Sequence, residues 1–173
     1  NIPLSVDIES GYSNNISEVI SNIQKLYDIG VVGINIEDSQ GEEIFTKKLS
    51  SIKNHLTENN MQLFINARTD SFLLNLPSPL EKTLERIKPY QDAGADGIFV
   101  PFITDKDAIK KITSATALPV NVLCMPDLSF IETLAECGVR RISMGNYLFK
   151  AHYNHLETLL KNINEQQSFS PLF

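Results

Sequence analysis

Six short apolar runs alternate strictly with stretches of helical amphipathic spacing, and three of the junctions between them share one plan. Gly30-Val31-Val32-Gly33-Ile34, Gly94-Ala95-Asp96-Gly97-Ile98 and Gly138-Val139-Arg140-Arg141-Ile142 each join a helix-stopping glycine to a buried strand. Strands that read as continuous apolar runs between helices predict an α/β fold, a parallel sheet covered by helices.

The elements follow in order. Ile2 to Val6 is an apolar strand that ends in Asp7-Ile8-Glu9-Ser10-Gly11-Tyr12. Asn14–Asp28 carries Ile16, Val19, Ile20, Ile23, Leu26 and Tyr27 on one stripe, a helix closed by Gly30. Val31–Ile36 is the next strand, ending in Glu37-Asp38-Ser39. A helix over Glu42–Glu58 turns Phe45, Leu49, Ile52 and Leu56 inward. Gln62–Ala67 reads as a strand ending in Arg68-Thr69-Asp70, followed by a helix whose inner face is Leu80, Leu84, Ile87 and Gln91.

Asp96–Val100 is a strand stopped by Pro101. Thr104-x-x-Asp107 resembles a capping box, with Asp in place of Glu, opening a short helix through Ile109 and Ile112. Pro119–Leu123 is a strand, and Leu128, Ile131 and Leu134 mark a helix closed by Gly138. Val139–Met144 is the last strand and Tyr147–Asn164 the last helix. The tail from Glu165 is polar, with a terminal Pro171-Leu172-Phe173 suited to docking elsewhere. Pattern alone leaves an open doubly wound sheet and a (β/α)8 TIM barrel both standing. No Gly-x-Gly-x-x-Gly follows any strand, which weakens a dinucleotide-binding reading. An eight-unit barrel takes about 250 residues, so six units in 173 residues suggest a single domain, residues 1–173, forming a barrel without its first two βα units.

Composition excludes several classes. At 42% hydrophobic and 21% charged the chain is globular rather than disordered. A net charge of −6 and a pI near 5.0 argue against nucleic acid or an anionic membrane as partner. Cys124 and Cys137, the only two cysteines, form no CxxC pair, so neither a disulfide framework nor a zinc site is indicated. With no long apolar span and no signal-peptide zoning at the start, a cytoplasmic setting is expected.

The polar residues gather at strand ends. Alternation places Ser5, Asp7 and Glu9 on one face, Asn35 and Glu37 on one, and Asn66, Arg68 and Asp70 on another. Asn121 interrupts the fifth strand, and Arg141 and Ser143 punctuate the sixth. In a barrel these ends form the active face. Crowded carboxylates there repel one another and lose hydration, so Asp7, Glu9 and Glu37 read either as holders of a hard divalent cation or as solvated loop acids. Arg68 would then hold an anionic substrate; the bland alternative is that it only neutralises Glu37 and Glu9. Tyr12, after Gly11, either closes over a substrate or packs. Cys124 falls opposite Asn121 and reads as a buried small residue, Cys137 as packing. His55, His152 and His155 lie within helices, away from the strand ends.

The stretches Asp7–Tyr12 (Asp-Ile-Glu-Ser-Gly-Tyr), Gly33–Ser39 (Gly-Ile-Asn-Ile-Glu-Asp-Ser) and Ile65–Asp70 (Ile-Asn-Ala-Arg-Thr-Asp) resemble the isocitrate lyase and phosphoenolpyruvate mutase superfamily. Ala93–Pro101, Pro119–Val122 and Gly138–Gly145 continue the resemblance in order over nearly the whole chain. The resemblance implies a (β/α)8 barrel with its third to eighth strands present, and Mg2+ as cofactor, with Mn2+ its nearest substitute. It further implies a small 2-oxo or 2-hydroxy dicarboxylic acid as substrate, C–C or P–C bond chemistry through an enolate, and a homo-oligomer, dimer or tetramer. By position, Asp7 matches the direct metal ligand. Glu9 stands where a second Asp is usual and Glu37 matches the acid after the fourth strand, both acting through water. Arg68 matches the arginine that steadies substrate or enolate, and Asn121 falls near a carboxylate-binding polar residue. Gly11 and Tyr12 are expected at the substrate's edge.

The departures are local. Asp38-Ser39-Gln40-Gly41-Glu42 carries neither the Lys-Lys-Cys-Gly-His or Lys-Arg-Cys-Gly-His loop of the lyases nor the Lys-x-Asn-Ser loop of the mutases. The resemblance implies that the acid of the second-strand loop and the Ser-Gly segment that cradles the substrate's carboxylate would lie in the missing N-terminal part. The leading expectation is a C–C lyase or decarboxylase. The alternatives are P–C chemistry and a barrel that binds metal and ligand without turnover.

Overall fold

In the structure, a computed structural model that describes residues 2–173, six strands and six helices alternate. They are β1 (Ser5–Asp7), α1 (Ile16–Asp28), β2 (Gly33–Glu37), α2 (Glu42–Glu58), β3 (Phe64–Arg68) and α3 (Pro79–Asp92). After these come β4 (Gly97–Val100), α4 (Lys106–Ser114), β5 (Val120–Leu123), α5 (Ile131–Glu136), β6 (Val139–Ser143) and α6 (Tyr147–Gln166). The strands form one sheet in the order β1-β2-β3-β4-β5-β6, with parallel pairing from β1 through β5. The chain divides into two compact units, Asn1–Ile142 and Ser143–Phe173.

Register sorts the side chains of the first unit onto two faces. Asp7 pairs with Asn35, Asn35 with Asn66, and Asn66 with Gly97; one layer on, Glu37 pairs with Arg68, Arg68 with Phe99, and Phe99 with Asn121. Neighbours in register point the same way, so all of these share one face. The alternate positions, Ile34, Ile36, Ile65, Ala67, Ile98, Val100, Val120 and Val122, are buried with Val19, Ile23, Leu49, Ile52, Ile87 and Ile109 of the helices. Burying that apolar face is the main driving force for the fold.

The polar face is concave. Adjacent strands lie about 4.8 Å apart, so a flat sheet would set β6 roughly 24 Å from β1. Yet Arg141 on β6 donates to Ser5 Oγ of β1 at 3.0 Å and to Asn35 Oδ1 of β2 at 3.2 Å. The sheet therefore curls into a half-barrel whose interior carries the polar layers. Glycines make room for the Phe64 side chain: a Cβ on Gly97 would sit 2.8 Å from the Phe64 ring, and one on Gly33 3.3 Å from Phe64 Cβ.

Several expected boundaries shift for identifiable reasons. Asn15 caps α1 through Ser17 N at 2.9 Å, so that helix starts at Ile16. The α4 cap is Asp105, accepting from Ala108 N at 2.7 Å, rather than Thr104 of the expected box. The fully buried side chains of α3 are Thr83, Ile87 and Tyr90, while Leu80 and Leu84 are only partly buried. Tyr90 turns inward because a buried carboxylate receives its hydroxyl. The terminal Pro171-Leu172-Phe173 does not extend away. Ser170–Leu172 is a 3-10 turn beside α6, with Ser168 N bonded to Ile163 O at 3.3 Å. Among the described residues no helix is long and apolar enough to cross a membrane.

Candidate active site

The C-terminal ends of β1, β2 and β3 bring the expected acids and arginine together. Arg68 Nη1 lies 2.9 Å from Glu37 Oε2, and Asp70 receives Arg68 Nε at 2.6 Å and Nη2 at 3.1 Å. Asp70 thus takes the place the sequence had offered to Glu9 beside this guanidinium. Burial alone would lower the Arg68 pKa, but Asp70, Glu37 and Asp7 together hold it above its ordinary value. For Asp70 burial dominates, and its pKa is raised despite the opposing pull of Arg68. Three carboxylates act on one guanidinium, so the strand tips carry an excess of negative charge.

Asp7 ends β1 and is exposed. Its Oδ1 accepts Glu9 N at 2.9 Å, and its Oδ2 lies 3.5 Å from Asn35 Nδ2. Glu9 does not continue the Asp7 face as alternation suggested. The strand stops at Asp7, Gly11 N closes a turn on Ile8 O at 2.7 Å, and Glu9 takes a left-handed φ of 50°. Its backbone still meets the site, since Glu9 O accepts Glu37 N at 2.9 Å.

Gly11 has a φ of 100° and is buried where a Cβ would lie 2.9 Å from both Val19 methyls, so only glycine fits. Tyr12, also left-handed at φ 58° and 59% exposed, bends its hydroxyl back to donate to Asp7 O at 2.8 Å. A non-glycine residue in this region is strained, and two of them flank the turn beside Asp7. Asn121 is buried on the concave face beside Phe99. Cys124 is half-buried and Cys137 buried.

The sequence reading assigned no role to the groups that brace this site from behind. Asp38, its side chain wholly buried, accepts Arg86 Nη1 at 2.7 Å, Tyr90 Oη at 2.5 Å and Asp70 N at 2.9 Å. Its own N–H donates to Arg68 O at 3.1 Å. Arg86 Nη1 also reaches Thr69 Oγ1 and Ser71 Oγ, both at 3.2 Å. Burial, then Asp38, raises the Tyr90 pKa, so its phenol stays protonated as a donor. Lys48 of α2, 2% exposed, ties Ser10 O at 2.7 Å, Ser13 O at 3.0 Å and Gln40 Oε1 at 2.7 Å into one clamp between the loops after β1 and β2. The available signal was an acid directly after Glu37, on the opposite face by alternation, with Arg86 and Tyr90 spaced i and i+4 on a helix.

Among the described residues no three His, Cys, Asp or Glu side chains converge into a ready-made metal cage. The donor chemistry nonetheless fits Mg2+. That ion takes one or two carboxylates and keeps several waters, and Asp7 offers an exposed carboxylate in a region of uncompensated negative charge. Asp7 would hold it directly, with Glu37 acting through water.

Comparisons with known proteins show the family and the fold. A family model described as phosphoenolpyruvate phosphomutase matches residues 1–164. An uncharacterized protein of Mycobacterium tuberculosis is 38% identical over 149 residues, 86% of this chain and 56% of that protein. An oxaloacetate decarboxylase of Pseudomonas fluorescens is 29% identical over 172 residues, 90% of this chain and 58% of the enzyme. The chain thus spans little more than half the length of these relatives. A crystal structure from Burkholderia cenocepacia, named provisionally as a phosphonomutase, superposes with a TM-score of 0.88 at 33% identity, covering 94% of this chain and 70% of that one. 2,3-Dimethylmalate lyase superposes with a TM-score of 0.85 over 97% of this chain and 62% of its own; at 18% identity this shows the fold alone.

Proposed function

Because the chain belongs to the phosphoenolpyruvate mutase and isocitrate lyase superfamily, we propose that it carries part of the active site of a Mg2+-dependent lyase. The reaction is C–C cleavage or decarboxylation of a small 2-oxo or 2-hydroxy dicarboxylic acid through a pyruvate-type enolate. The observation that carries this reading is the arrangement of Asp7, Glu37 and Asp70 around Arg68 at the strand tips. Bound there, the cation would supply Lewis-acid polarisation to a substrate oxygen.

The chain's own residues do the rest. Arg68 has five N–H donors, of which Asp70 engages two and Glu37 one. The remaining two are available to a substrate oxygen. Because Asp70 locks the fork, Arg68 meets developing enolate charge without reorganising, which is how preorganised donors lower a barrier. Glu37, tied to Arg68, holds a water and passes a proton at its free oxygen. Tyr12 and Gly11 form the rim, and Asn121 lies deeper on the same face. The oxaloacetate decarboxylases among the relatives favour decarboxylation within this class. The reading of P–C chemistry draws on the name of the family model, but residues 38–42 lack the polar loop that chemistry requires.

The test is release of pyruvate or glyoxylate from oxaloacetate, malate-type and alkylmalate substrates with Mg2+ present, using the intact protein. Asp7→Ala is expected to abolish turnover and to weaken Mg2+ binding at least tenfold while the fold is retained. Unchanged Mg2+ affinity would remove Asp7 from the metal site, and ligand binding without product would favour a non-catalytic barrel.

A further inference from the structure

We propose that Arg141, acting through Asn35, sets the orientation of the Asp7 carboxylate and thereby its affinity for the cation. This rests on the reading that Asp7 holds a divalent ion. Neither Arg141 nor Asn35 belongs to the set assigned to metal or substrate above.

An asparagine amide has an acceptor end and a donor end of nearly equal shape, and its neighbours decide which way it points. Asn35 sits in register between Asp7 on β1 and Asn66 on β3. Two donors converge on one end of it, Asn66 Nδ2 at 2.9 Å and Arg141 Nη1 at 3.2 Å. That end must be the oxygen. The amino end is left facing Asp7, with Nδ2 3.5 Å from Oδ2.

With Glu9 N on Oδ1 at 2.9 Å, each carboxylate oxygen of Asp7 then faces a neutral donor and keeps lone pairs for a ligand. Were Asn35 to flip, its oxygen would oppose the carboxylate. Asn66 provides one constraint against that flip and Arg141 the other. Arg141 is itself held at two points, because its Nη2 donates to Ser5 Oγ at 3.0 Å. A residue of β6 thus reaches across the concave face to fix a ligand on β1, the kind of outer support that tunes metal sites.

Arg141 is a positioning residue, and the sign of its effect separates this role from simple electrostatics. Removing a positive charge near a cation site should tighten Mg2+ binding; removing a support for Asp7 should weaken it. The experiment is calorimetric titration of the intact protein with Mg2+, with circular dichroism as the fold control. Arg141→Met and Asn35→Leu are each expected to raise the Mg2+ Kd about tenfold. The double variant should be no weaker than Asn35→Leu alone, because Arg141 works through that amide.

Tighter or unchanged binding in Arg141→Met, or losses that multiply in the double variant, would overturn the proposal. If Asn35→Leu fails to fold, Arg141→Met decides alone, and Arg141→Lys, which keeps one donor to Asn35, should recover part of the loss. Asp7→Ala separates the two levels. Unchanged affinity there defeats the underlying site assignment. Lost affinity there, with Arg141→Met at the parental value, defeats only the present inference.

Discussion

Two arginines grip aspartates at the tips of β2 and β3, one on each side of the sheet. Behind it, Arg86 binds Asp38, whose carboxylate is wholly buried and also receives Tyr90 and the Asp70 amide. In front, Arg68 binds Asp70 and Glu37 on the concave face, with donors to spare. The rear pair is closed, with all its acceptors engaged by protein. Among the buried side-chain nitrogens and oxygens of the described residues, Arg86 Nε lacks a hydrogen bond, with Glu42 Oε2 3.9 Å away. The front group is open and carries more negative than positive charge. The same guanidinium chemistry serves as mortar where it is saturated and, where it is not, leaves the donors that the proposed substrate site would use. Asp70 joins the two, with its amide held from behind and its carboxylate working in front.

The largest expected effect comes from breaking the closed pair. Asp38→Ala leaves Arg86 buried without its counter-charge and strips partners from Tyr90 Oη and Asp70 N. Losing one member of a buried pair costs about 3–5 kcal/mol. Urea unfolding should therefore show a large fall in midpoint, and the segment 68–71 should lose protection in amide exchange. A fall of less than about 1 kcal/mol would mean that the rear pair braces nothing.

Next is the open group. Arg68→Lys keeps a positive charge but cannot reproduce the fork that holds Asp70 at two points. Stability should change by only about 1 kcal/mol, because the site is partly solvated and a lysine still pairs there. Turnover should fall about a hundredfold, the usual loss when a preorganised donor is removed. Initial rates of pyruvate release beside unfolding curves measure both quantities. Equal damage to both would mean that the front arginine is mortar as well.

The contrast also explains what the sequence made legible. Glycine-terminated helices and apolar strands disclosed the alternation and the concave polar layers, because period-two alternation is local. Arg68 with Glu37 was readable because each ends a strand and register fixes them side by side. Arg86 and Tyr90 were hidden because a helix pattern sorts residues by polarity. Here a helix buries a tyrosine against an acid 52 positions away, a pairing that only tertiary contact creates. Glu9 was placed wrongly since alternation holds only while a strand lasts, and this one ends two residues earlier. Asp70 was on the expected face, but nothing in spacing could say that it, rather than Glu9, would close on Arg68.

The smallest expected effect concerns Asp70, where the two arginine systems meet. Burial raises its pKa above 3.8, with Arg68 opposing and Glu37 and Asp38 adding to the rise. A carboxyl with a raised folded pKa binds its proton more tightly when folded than when unfolded. Its contribution to stability is therefore full below 3.8 and is lost as pH rises through the folded value. That runs against the usual acid profile, in which paired carboxylates favour folding as pH rises. Asp70→Asn removes this one term, so stability should climb more steeply with pH across the window just above 3.8 than in the parent. Urea midpoints at closely spaced pH values in that window measure the slope. A flatter profile in Asp70→Asn would mean that Arg68 outweighs burial at Asp70, and that the front group is as fully paired as the rear.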